Sequence, residues 1–130
     1  MPEHVSITIS SSLFQAILEG AKHAHPRESV LMLRGRKKKD VIAITDLVVP
    51  PLATRGWGFA NIPLHMLPAD FSLIGTAHSH PSGNTTPSHT DLNHFFGRVL
   101  MIVGFPYTDE RNAAAYNHNG EKLALQVTTQ

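Results

Sequence analysis

Residues 71–81 read Phe71-Ser72-Leu73-Ile74-Gly75-Thr76-Ala77-His78-Ser79-His80-Pro81. The run from Phe71 to His80 is largely apolar and reads as a buried strand. Pro81 ends that strand directly after two histidines and so puts them at its mouth. Downstream, Ser82 to Pro87 is a polar loop, Ser88 to Phe96 a short helix, and Arg98 to Phe105 a strongly apolar strand. Two further strands, Asn112 to Tyr116 and Glu121 to Val127, are joined by a His-Asn-Gly turn. Upstream, Val5, Ile7 and Ile9 alternate with polar residues at strand period. Ser10 to Ser12 offer caps for a helix whose Leu13, Phe14, Ile17, Leu18 and Ala21 share a face, and His25-Pro26 stops it. Ser29 to Leu33 and Val41 to Val49 are β-rich, and the intervening Arg-Gly-Arg-Lys-Lys-Lys-Asp reads as a charged, solvated hairpin. The sum is one mixed α/β domain over residues 1–130, with a central sheet and at least two helices.

Bulk composition narrows the function. A chain of 130 residues buries roughly two-thirds of its unfolded surface and needs no disulfide to hold a core. With 11 basic and 10 acidic residues, nothing in the charge points to nucleic acid or to an anionic membrane. The first residues lack the form of a signal peptide, and no run reaches the ~20 apolar residues of a membrane span. A soluble cytoplasmic protein is the default expectation. The absence of cysteine excludes disulfides, a thiol nucleophile and thiolate-ligated zinc. Nine histidines are many for this length, and any transition-metal site must be built from imidazole and carboxylate.

Four pieces carry chemistry: Glu28, His78-Ser79-His80-Pro81, Ser88 and Asp91. Residues two apart on a strand face the same way, so His78 and His80 present two imidazoles side by side. After ten intervening residues, Asp91 lies in the first turn of the predicted helix, and the loop is long enough to return its carboxylate to the imidazoles. Two nitrogens and one oxygen suit zinc and leave a fourth tetrahedral position open, the mark of a catalytic site. Glu28 precedes the apolar run Val30-Leu31-Met32-Leu33 and is costly there unless it faces a polar pocket, which makes it the candidate general base. Each piece alone has a plainer reading. His-x-His is a weak signal, Ser88-His89-Thr90-Asp91 resembles a capping box with Asp in place of Glu, and Glu28 could be a surface residue.

Taken together, the pieces resemble the JAMM (MPN+) metalloprotease signature. That signature is a glutamate, His-Ser/Thr-His-Pro, and a run of seven residues that closes on the serine of Ser-x-x-Asp. Here it is Glu28, His78-Ser79-His80-Pro81, the seven residues ending at Ser88, and Asp91 after two more. The opening helix, the Pro-x-Glu-Ser segment and the strand order extend the resemblance over nearly the whole chain. It implies a cytidine-deaminase-like fold, a mixed β-sheet sandwiched by helices. It also implies one zinc ion on His78, His80 and Asp91, with Glu28 taking the water's proton, Ser88 supporting the oxyanion and Ser79 structural. The implied reaction is hydrolysis of peptide or isopeptide bonds after the tail of a ubiquitin-like protein. The alternatives are processing of a sulfur-carrier protein of ubiquitin-like fold and a non-catalytic scaffold. Retention of Glu28 and Ser88 speaks against the scaffold, since neither is needed to hold a metal. Neither the Cys-containing motif of a zinc deaminase nor a His-Glu-x-x-His is present. The irregular segment 52–66, with Trp57 and Phe59, precedes the zinc strand and is a candidate wall for the substrate's tail.

Overall fold

The computed structural model describes residues 4–49, 72–93 and 97–129. Trp57, Phe59 and the rest of the 52–66 segment lie outside the described residues. The order of elements is β1 (Ser6–Ser10), α1 (Ser11–Ala24), β2 (Val30–Lys38), β3 (Val41–Val48), β4 (Leu73–His80), α2 (His89–Asn93), β5 (Val99–Gly104), β6 (Ala113–Tyr116) and β7 (Lys122–Thr128), with a short 3₁₀ turn at Glu110–Asn112. No helix among the described residues is long and apolar enough to cross a membrane.

The local signals act as their chemistry dictates. Val5, just before β1, and Ile7 and Ile9 within it are buried. Ser10 caps α1 by accepting the Leu13 N–H, and Phe14, Ile17, Leu18 and Ala21 are its buried stripe. Each of those larger side chains stabilises the fold by about 1.5–3 kcal/mol on burial. The basic run forms the expected solvated hairpin, but most of it is strand and little of it turn. Arg36, Lys37 and Lys38 continue β2, paired with Ala43, Ile42 and Val41, and the turn contracts to Lys39 and Asp40. Their side chains are exposed, so charge costs nothing while the backbone gains its ladder partners.

The strands close into a barrel in the order β1-β3-β2-β4-β5-β6-β7, with β7 pairing back onto β1. The sheet is mixed: β1 runs parallel to both β3 and β7, β4 runs parallel to β5, and the other pairs are antiparallel. The expected helices on both sides of a sheet are not seen among the described residues. β1 bonds on both of its edges, so the sheet closes on itself instead of lying open between helical layers.

Two apolar clusters explain why β4 and β5 read as continuous apolar runs. Val99, Met101 and Val103 face the main core with α1, whereas Leu100 and Ile102 join Ala114 and Tyr116 in a second cluster on the other face. In parallel register, Thr76 lies beside Leu100 and His78 beside Ile102. His78 therefore projects from the second face, away from the main core. A Cβ on Gly75 would collide with the Val99 carbonyl oxygen, so only glycine permits this close approach of β4 to β5.

Candidate metal centre

The end of β4 and the first turn of α2 bring His78, His80 and Asp91 together. One ligand atom from each lies within 4.8 Å of the others. His78 is 1% exposed, held by its place on a strand buried on both faces. Its Nε2 lies 3.5 Å from Asp91 Oδ1, and the two imidazole rings are 5.2 Å apart and nearly perpendicular.

His80 is oriented through its other nitrogen. The Asn84 carbonyl is 2.8 Å from Nδ1 and can only accept, so Nδ1 carries the hydrogen. Nε2 is thereby turned to Asp91 Oδ2 at 3.2 Å. That hydrogen bond to Asp91 raises the His80 pKa from its usual 6.5, against the opposing effect of burial.

Asp91 is held by the helix it starts. The Ser88 N–H donates to Asp91 Oδ2 at 2.8 Å, and the Asp91 N–H donates to Ser88 Oγ at 3.0 Å. This is a reciprocal capping box with aspartate in the acidic position. Burial pushes the Asp91 carboxyl up, but the hydrogen bonds from His80 and from Ser88 outweigh it and hold the pKa down at about 2. The site thus carries a firm anion beside two imidazoles. This donor set fits zinc: two nitrogens, one oxygen, and a histidine whose remote N–H is fixed by a backbone carbonyl.

Glu28 Oε1 lies 3.9 Å from His78 Nδ1. Contrary to the desolvation expected from the apolar run, its side chain is 43% exposed. The reason is that β2 begins only at Val30, two residues later. Glu28 is placed by its neighbour instead. The Ser29 N–H and hydroxyl both donate to Ser79 Oγ, at 2.8 and 3.2 Å, and the Ser79 N–H donates to the Ser29 carbonyl at 3.1 Å. Ser79 is fully buried on the face opposite its histidine neighbours. Two contacts were not legible in the sequence. The Tyr107 hydroxyl donates to the His80 carbonyl at 2.9 Å, and His25 Nδ1 lies 3.1 Å from that hydroxyl. Tyrosine carries no metal-motif signal, and only the folded register brings Tyr107 to the end of β4.

Residues 10–117 match the family described as prokaryotic homologs of the JAB domain. A relative from Haloferax volcanii, named a probable metalloprotease, is 31% identical over 128 residues, covering 93% of this chain and 79% of its own. A structure described as "JAMM: a metalloprotease-like zinc site in the proteasome and signalosome" superposes with a TM-score of 0.68 at 35% identity, covering 95% of this chain and 98% of the other. A JAB1/MPN domain protein from Archaeoglobus fulgidus gives 0.69 at 38% identity, covering 93% and 98%.

Proposed function

The chain belongs to the family of prokaryotic homologs of the JAB domain, and from that premise we propose that residues 1–130 form one JAMM-type metalloprotease domain cleaving peptide or isopeptide bonds after the tail of a ubiquitin-like protein. Its cofactor is zinc, supported by the His78, His80 and Asp91 cluster and by the zinc site of its structural relative. The observation that carries the reading is the convergence of those three ligand groups with Glu28 alongside.

His78, His80 and Asp91 would hold the ion. When bound, zinc supplies a Lewis acid for the scissile carbonyl and lowers the pKa of a water molecule toward neutrality. Glu28 accepts a proton as the water oxygen bonds to the carbonyl carbon. It returns that proton to the amine nitrogen as the C–N bond breaks. Its partial exposure lets it exchange the remaining proton with solvent. Ser88, whose Oγ accepts the Asp91 N–H on the same turn, would offer its hydroxyl hydrogen to the developing oxyanion.

The test is incubation of the zinc-loaded protein with ubiquitin-like conjugates and sulfur-carrier precursors, with released ends identified by mass spectrometry. Cleavage directly after the tail is expected, and its loss in His80→Ala along with the zinc. Cleavage undiminished in a zinc-free His80→Ala protein would overturn the metal-dependent reading.

A further inference from the structure

The chain has only two tyrosines, and both hydroxyls are spent on the segment that joins the proposed ligands His80 and Asp91. The Tyr107 hydroxyl donates to the His80 carbonyl at 2.9 Å. The Tyr116 hydroxyl donates to the Thr85 carbonyl at 2.8 Å. One target lies at the end of a strand ladder, where His80 pairs with Gly104, and the other lies beyond it. His80 is the last residue of β4, and Thr85 lies in the loop before α2.

The two tyrosines approach from opposite sides. Tyr107 belongs to the main core and Tyr116 to the second cluster, on the face from which His78 projects. Both side chains are buried, at 1% and 8% exposure, so the hydroxyls are fixed by packing before they bond. Tyr107 is itself oriented. Its single hydrogen goes to the His80 carbonyl, so its oxygen accepts from His25 Nδ1. His25 is the C-cap of α1, three residues before Glu28. The donor chain from His25 through Tyr107 to His80 therefore ties the segment carrying Glu28 to the strand carrying the histidines.

We infer that Tyr107 and Tyr116 are positioning residues that clamp the 80–91 ligand loop from its two sides and so set the affinity of the metal site. The inference rests on the metalloprotease reading above. A loop between two ligands holds its donor atoms converged only if its backbone is anchored. In this loop, long-range side-chain anchors come from these two hydroxyls at His80 and Thr85. Partners that orient metal ligands typically contribute 10- to 100-fold in affinity. Backbone anchoring is less direct, so about tenfold per tyrosine is expected, at the lower end of that range.

The experiment uses the full chain and its Tyr107→Phe and Tyr116→Phe variants, in which phenylalanine keeps the packing and removes only the hydroxyl. Zinc affinity is measured by competition with a chelator, the cobalt(II)-substituted absorption spectrum reports ligand geometry, and melting is followed with and without zinc. Each variant should bind zinc about tenfold more weakly, show an altered cobalt spectrum and gain less melting temperature from zinc than the wild type. If Tyr107→Phe does not fold, the same three measurements on Tyr116→Phe decide. A merely structural role would lower both melting temperatures equally and leave affinity and spectrum unchanged, and that result in a zinc-binding wild type overturns the tyrosine assignment alone. A wild type that binds no zinc, or keeps its affinity in His80→Ala, instead overturns the metal site on which the inference rests.

Discussion

Ser88 caps α2 through its hydroxyl oxygen, and the same group is proposed to meet the oxyanion. The two roles separate by measurement. Loss of the cap in Ser88→Ala should cost about 1 kcal/mol of stability. Loss of an oxyanion donor should lower kcat by about 10²-fold or more at saturating zinc. A variant that melts earlier yet turns over normally would leave Ser88 as a cap. Glu28 separates in the opposite sense. It stands beside His78 at 3.9 Å without belonging to the converging ligand group. Glu28→Gln should therefore retain one zinc per chain while kcat falls by about 10²–10⁴-fold, because an amide cannot accept the proton. Normal turnover with zinc bound would assign the base elsewhere. The sequence pointed to Ser88 through its spacing from the histidines and to Glu28 through the apolar run that follows it. It misjudged why Glu28 is available, since that depends on where β2 starts and on the part-buried Ser29–Ser79 link, which joins residues fifty positions apart.

The elements themselves were legible wherever a period or a cap is local. The alternation of β1, the stripe and stop of α1, and the glycine of the His-Asn-Gly turn, with φ +79° at Gly120, each depend on a few neighbouring residues. Strand pairing is not local. Nothing near Ser6 announces that it will lie between Val41 and Ala124, and that pairing is what closes the barrel. Gly75 shows how one residue serves an element contact far away. Its missing Cβ lets the backbone of β4 approach Val99, which sets the parallel register that carries His78 beside Ile102. The obstruction is backbone, not a flexible side-chain tip, so β4 and β5 must separate to admit a methyl group. Gly75→Ala should destabilise the fold by about 1–3 kcal/mol in denaturant unfolding. It should also weaken zinc binding, although Gly75 touches none of the ligands. An unchanged unfolding midpoint would mean that the strands part without cost.

At the scale of the whole molecule, the site and the stability of the fold share the same charges. In the metal-free protein the Asp91 pKa is lowered to about 2, so its contribution is complete above its usual 3.8 and is lost as the pH falls through 2. The His80 pKa is raised, so its contribution is complete below 6.5 and is lost as the pH climbs through the higher folded value. The pair therefore supports the metal-free fold best between about pH 4 and 6.5. Zinc reverses the dependence on His80, because the ion needs the lone pair that the proton occupies. Below the folded pKa of His80 each zinc bound must release that proton, so apparent affinity should rise about tenfold per pH unit and level off once the imidazole is neutral. Thermal melts at pH 5.5, 6.5, 7.5 and 8.5, each with excess zinc and with chelator, should give a zinc-induced gain in Tm that grows with pH over the lower part of this range. Over the same interval, the chelated protein should lose the His80 contribution as the pH rises. The two curves should thus diverge, with zinc taking over at His80 the role that the proton fills in the metal-free chain. A zinc-induced gain independent of pH would mean that the ion is not competing for His80, and the ligand set would have to be drawn from other residues.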